Sequence, residues 1–231
     1  GKSPMMPYLE RNDPAQSRTI AELRDSAERR RELGDLREAR DGLIAAAEAA
    51  ETSIRVLTDE RTQALALRAT IARQRQEFRE GIRRFLGQNT TAIEQTAQRL
   101  EQQIDSHHYR DALNTARKLN ASLPPERYVA LENGTVIDFQ KAIMWIADGA
   151  SPEGGNSGQP LDWYAALTWA ASVRVADYAD WELPSEEDLR DLKRMPVRQQ
   201  EKLFPHTVQG VHWSRMPSQD VNQALAVDVT T

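Results

Sequence analysis

The sequence predicts an α+β protein in two parts, an N-terminal antiparallel helical coiled coil or bundle followed by a small domain of mixed helix and strand. Three observations carry this. An apolar 4-3 alternation runs through residues 43–85, all five tryptophans (Trp145, Trp163, Trp169, Trp181 and Trp213) fall after residue 140, and Pro124-Pro125 stands between the two regions. A chain of 231 residues has room for two modest domains.

Residues 1–14 hold three prolines and no periodicity, and they read as a flexible lead-in to a helical domain over 15–123. Ile20, Leu23, Ala27, Arg30 and Leu33 form the stripe of a first helix at about 17–33, closed by Gly34-Asp35. The next stripe runs from Leu43, Ala47, Ala50, Ile54 and Leu57 to Ile71, Phe78, Ile82 and Phe85, interrupted every seventh residue by Arg61, Arg68 and Arg75. A helix over 36–86 would be about 75 Å long at 1.5 Å per residue, and such a rod needs a partner. Ile93, Ala97, Leu100 and Ile104 supply one, a third helix at about 90–106 after the Gly87–Thr90 break. Residues 36–43 and 109–116 are alike, and both resemble the second helix of a tetratricopeptide-type unit; two copies are too few for a solenoid.

The second domain spans residues 127–231. Tyr128-Val-Ala-Leu131 and Thr135-Val-Ile-Asp138 flank Asn133-Gly134, a strong hairpin-turn pair, and residues 142–147 read as a further short strand. A glycine-rich loop covers 151–160. Asp162 then caps a helix whose Trp163, Ala166, Leu167 and Ala170 share one face. Pro184-Ser185 with Asp188 three residues on opens a second helix at about 186–193, where a hydroxyl caps free N–H groups and acids sit at the positive end. Residues 211–214 and 224–229 read as closing strands.

Read together, Gly134-Thr-Val-Ile-Asp138, Ala142-Ile-Met-Trp145, Trp163 with Ala166, Asp180-Trp-Glu-Leu-Pro-Ser185 with Leu189, and Trp213-Ser214 resemble, in order, the motifs of the Lcl C-terminal domain-like family. Glu182 stands where that family usually has arginine, Arg215 replaces the second serine of its last motif, and its final Arg- and Val-rich strand is not visible. The resemblance implies a C-type-lectin-like α+β domain, similar to the formylglycine-generating-enzyme fold, used mainly as a binding module in bacterial surface or envelope proteins. It also implies that Trp145, Trp163, Trp181 and Trp213 are framework residues. Trp169 lies outside the pattern and is the better candidate for an exposed aromatic.

Charge and composition narrow the function. Residues 1–126 carry 21 Lys and Arg against 20 Asp and Glu, while residues 127–231 carry 9 against 15, so the Trp-rich part gives a nucleic acid or other polyanion no electrostatic help. Without cysteine there are no disulfides, thiol nucleophiles or cysteine-bound metals. No apolar run reaches the roughly 20 residues that span a bilayer, and residues 1–7 do not read as a secretory signal.

No metal, cofactor or catalytic set is expected. His107-His108 are adjacent on a helix and diverge by about 100°. His206 and His212, near Asp220 and Asp228, show no ligand spacing. Asp177, Asp180, Glu182, Glu186, Glu187 and Asp188 are dense enough for calcium, but three of them belong to a helix first turn that favours acids anyway. His212 and Ser214 share a strand face without an orienting acid, and no phosphate loop or dinucleotide fingerprint is present. Ligand contacts are expected from the loops at 149–159 and 196–210, with Asn156, Gln159, Trp169, His206 and His212 as the candidate residues.

The resulting expectation is non-enzymatic recognition, a helical stalk presenting the second domain to a protein or glycan at the bacterial periplasm or cell surface, with self-association through the helices and a link to membrane-associated machinery. The alternative is a scaffold subunit of an envelope, secretion, pilus or defence assembly that acts through its helices, and more remotely an enzyme on the shared fold. Aromatic or acidic loop surfaces would favour the first; an exposed apolar strip on the helices would favour the second.

Overall fold

The computed structural model describes residues 6–148, 160–205, 211–217 and 224–228. The chain divides into two compact units, residues 1–125 and 126–231. The first is all helix and the second mixes helix and strand.

In the first unit α1 (Met6–Asn12) and α2 (Pro14–Glu32) precede α3 (Leu36–Glu77), 42 residues and so about 63 Å long. Asp13 starts α2 by accepting the Gln16 N–H at 3.1 Å, with Pro14 in the first helical position. Gly34, at φ 89°, turns the chain into α3. Along the antiparallel α2–α3 pair the helices approach closely at Gly42, where a Cβ would lie 3.0 Å from the Ala27 Cβ. A 3₁₀ turn (Gly87–Asn89) separates α4 (Arg79–Phe85) from α5 (Thr90–Asp105), and α6 (Tyr109–Ala121) packs on α3 and α5.

Four sequence expectations change here. Residues 6–12 are helical rather than an aperiodic lead-in, because Leu9 is buried with Ile20, Leu57 and Tyr109. Asn12 also binds the α5–α6 turn, donating to the His107 carbonyl at 2.8 Å and accepting from the Arg110 N–H. The rod expected over 36–86 breaks at Phe78, whose φ of −107° and ψ of 18° leave the helical region while its side chain stays buried. The helical domain also holds α6 as a full element. The buried face of α3 passes from Ala39 and Ala46 to Leu57, Ala64 and Ile71 as its neighbour changes from α2 to α6, leaving Leu43 and Ala47 of the expected seam exposed.

In the second unit β1 (Tyr128–Ala130), β2 (Thr135–Asp138) and β3 (Ile143–Ile146) form an antiparallel meander. Gly134 at φ 78° closes the first hairpin, and Asn133 Oδ1 accepts the Thr135 hydroxyl at 2.7 Å. The helices are α7 (Trp163–Ser172), α8 (Glu186–Arg194) and α9 (Val197–Leu203); β4 (Val211–Pro217) and β5 (Ala224–Asp228) pair antiparallel. Tyr128, Val136, Leu192, Met195, Leu203 and Phe204 form one core, with Trp145 edge-on to Phe204. Ala166, Ala170 and Leu183 centre a second, flanked by Trp163, Trp169 and Trp213. Helix α9 occupies part of the stretch expected as a ligand-binding loop: Gln200, Leu203 and Phe204 fall at helical spacing and are buried.

Candidate binding surface

A charge network fastens α8 to the sheet. Asp138, only 1% exposed, receives Arg127 through Nε (3.0 and 3.1 Å) and Nη2 (2.7 Å), and its Oδ1 also accepts the N–H groups of Gln140 and Lys141. The same Arg127 Nη2 donates to Asp191 at 2.9 Å. Lys141 Nζ reaches Asp188 at 2.8 Å and Asp191 at 3.2 Å. Burial opposes ionisation of Asp188 and Asp191, yet the hydrogen bonds they accept, from Lys141 and Ser185 and from Arg127 and Lys141 respectively, hold both carboxyls below the usual range. Burial likewise opposes the Lys141 charge, and Asp188 and Asp191 overcome it to raise the amine. Asp188 also closes a capping box with Ser185, so the α8 start sits firmly on this network.

Two indoles cross-brace the segments next to α8. Trp163 Nε1 donates to the Ser214 carbonyl at 2.8 Å, and Trp213 Nε1 donates to the Leu161 carbonyl at 2.7 Å. The Arg215 N–H then binds the Pro184 carbonyl at 2.9 Å, tying β4 to the residues that lead into Ser185. Each Trp contributes a large apolar face and one satisfied donor, which explains why these positions take Trp rather than Phe.

Between α7 and α8 this frame carries a small preformed turn. Val175 and Tyr178 exchange backbone hydrogen bonds (3.2 and 3.0 Å) around Ala176 and Asp177, both at positive φ (55° and 66°). Two consecutive left-handed residues make the tight reversal usual for Asn-Gly, here built from Ala-Asp at a steric cost. The guanidinium of Arg174 folds back on the end of α7, Nη1 donating to the carbonyls of Val173 (2.9 Å) and Ser172 (3.1 Å). Trp181 Nε1 donates to the Tyr178 carbonyl at 3.2 Å, and the two rings meet edge to face. What remains open to solvent is Asp177, Asp180 and the Tyr178 side chain, 44% exposed; Tyr164 on α7 is 72% exposed.

The residues singled out from the sequence are scattered. Trp169 is half-buried against the second core, so it is not an open platform. His212 lies half-buried on β4 opposite Val227. Asn156, Gln159 and His206 lie outside the described residues. His107 Nδ1 meets the Tyr109 hydroxyl at 2.8 Å and His108 Nδ1 meets Ser106 Oγ at 3.1 Å. Among the described residues no group of three His, Asp or Glu side chains is placed to hold a metal. Of the acids weighed for calcium, Glu182 pairs with Arg215, Glu186 with Arg190, and Asp188 with Lys141. Ser214 is fully buried, its hydroxyl bonded to the backbone of Met216. No helix among the described residues is long and apolar enough to cross a membrane.

Sequence reasoning passed over Arg127, Asp138, Lys141, Asp191 and Arg174, and it read Asp177 only as one acid among several. No curated protein and no solved structure matches the chain. Residues 134–231, which hold the α8 cap, both cross-bracing indoles and the turn, match the family model of the Lcl C-terminal domain, which points to a bacterial surface-type protein.

Proposed function

We propose that this chain is a non-enzymatic recognition protein of a bacterial envelope, in which the Lcl C-terminal domain is the binding head and the helical unit carries it. The observation that carries the reading is the turn at residues 175–178. Its backbone is held by the paired hydrogen bonds of Val175 and Tyr178 and by the Trp181 indole, while Tyr178, Asp177 and Asp180 are left to solvent. A rigid aromatic flanked by acids is preorganised to bind, since little side-chain entropy is lost on contact. The exposed acids suit a ligand rich in hydroxyl or cationic groups, a glycan or a basic protein segment.

Site-specific photocross-linking tests this on the producing cell. The full chain would carry a photoreactive phenylalanine in place of Tyr178, or in place of Glu201, an exposed residue of α9. A discrete adduct from position 178 and none from 201 is the expected result. Equal labelling at both, or none at either, contradicts it.

A second reading, assembly through the helices, is favoured by one separate observation. Leu36, Leu43 and Ile44 lie exposed on α3.

A further inference from the structure

The N-terminal part of α3 carries an apolar strip that α2 does not cover. Helix α2 packs on the side of Ala39, Gly42 and Ala46. On the adjoining face Leu36 is 69% exposed, Leu43 39% and Ile44 48%, and these residues with Ala47 line a shallow groove of about 360 Å³ rimmed by Arg31 and Arg40. Leu36, Arg40, Leu43 and Ala47 keep the 4-3 spacing of a coiled-coil seam, with Ile44 beside it. The helix is already formed and held by α2, so a partner need not supply the cost of nucleating it.

The charges on this face identify the partner. Arg37 and Arg40 precede Ile44 by seven and four residues; Glu48 and Glu51 follow it by four and seven. At 100° per residue all four lie on the Ile44 side of the strip. Among the described residues Arg37, Glu48 and Glu51 have no ion pair, and Arg40 reaches only its exposed neighbour Asp41. Two copies of α3 laid antiparallel with Ile44 on the two-fold axis set Arg37 of each against Glu51 of the other, and Arg40 against Glu48. A two-fold contact needs one surface that is its own complement, and this arrangement is one. Parallel pairing would instead place arginine on arginine and glutamate on glutamate.

We propose that the α3 segment at residues 36–51 docks antiparallel on the same segment of a second copy of this chain, Ile44 meeting Ile44 on the axis. This stands apart from the turn at residues 175–178 and holds or fails without it. It would give the assembly two binding heads and so avidity for a repeated ligand.

Sedimentation velocity on the full chain tests the pairing. The expected mass is twice 26.1 kDa, within concentrations up to about 100 µM. Ile44→Glu gives a monomer. So does Arg37→Glu/Arg40→Glu, and so does Glu48→Arg/Glu51→Arg, but an equimolar mixture of these two double variants restores the dimer. The chain has no cysteine, which makes Ile44→Cys a clean probe: it cross-links to itself under mild oxidation, whereas Arg37→Cys cross-links to Glu51→Cys and not to itself. All these positions are solvent-exposed, and unchanged helicity by circular dichroism shows that each variant still folds. A monomeric full chain, as a different protein or a lipid surface on this strip would give, overturns the proposal. A dimer indifferent to Ile44→Glu, or a mixture that stays monomeric, overturns it too.

Discussion

Arg127 donates to both carboxylate oxygens of Asp138, and the same guanidinium reaches Asp191 on α8. One cation thus joins the end of β2 to the helix that carries the Pro184-Ser185 corner. Because Asp138 is almost wholly buried, the pair matters most when it is broken: a carboxylate stripped of its counter-charge cannot regain water without local unfolding.

Arg127→Met is therefore expected to destabilise the second unit by about 3 kcal/mol, less than a fully buried pair would lose because Arg127 is partly exposed. All five tryptophans lie in this unit, so their fluorescence during urea unfolding of the full chain follows it selectively. A midpoint unchanged from the wild type would show that the pair contributes nothing.

The network also sets a pH window. Asp188 and Asp191 are held below the ordinary carboxyl value of 3.8, so their contribution is complete above that value and is lost as pH falls through their folded-state values. Lys141 is raised above 10.5, so its contribution is complete below that value and is lost as pH rises through its folded-state value. The tryptophan-reported urea midpoint should hold from about pH 5 to 10 and fall outside it. Asp191→Asn should flatten the acid limb. An acid limb equally steep in Asp191→Asn would assign the loss to other carboxylates.

Ala176 carries φ 55° without being glycine, and Ala176→Gly removes the clash between its Cβ and the backbone. The left-handed cost is about 1–2 kcal/mol, partly offset by the greater freedom of glycine in the unfolded chain, so a net stabilisation of about 0.5–1 kcal/mol is expected. A lower urea midpoint in the variant would mean that the methyl group makes contacts worth more than the strain.

Gln200 is 2% exposed on the inner face of α9, and neither atom of its side-chain amide has a hydrogen-bond partner among the described residues. Gln200→Leu removes the unpaired polar atoms while keeping most of the volume. It should raise stability by about 1–2 kcal/mol. A loss instead would point to a buried water bound by the amide, which high-resolution diffraction from crystals of the chain would reveal.

What was legible in the sequence was local. Ser185 caps α8 with Asp188 three residues on, Asp162 caps α7, and Asn133-Gly134 turns the first hairpin, because each device closes within four residues. The Arg127–Asp138–Asp191 bridge spans 11 and 64 residues, and one arginine among many gives no local sign of such a partner. The seam of α3 was misplaced for a related reason: a 4-3 pattern fixes a stripe, but the buried stripe rotates when the neighbour changes from α2 to α6. Trp169 stood out because it lies outside the family motifs, which says nothing of packing, and the second core takes it in. The turn at residues 175–178 was hidden because Ala-Asp is not the dipeptide expected at consecutive left-handed positions.

The proposed binding surface requires a turn that is formed before any ligand arrives. Amide hydrogen exchange of the free full chain, resolved at Val175 and Tyr178, measures this directly, since each N–H donates across the turn to the other's carbonyl. Exchange at both amides slowed at least about tenfold relative to an unstructured peptide is the expected result. Exchange at the unstructured rate in the wild type would contradict a preformed binding surface.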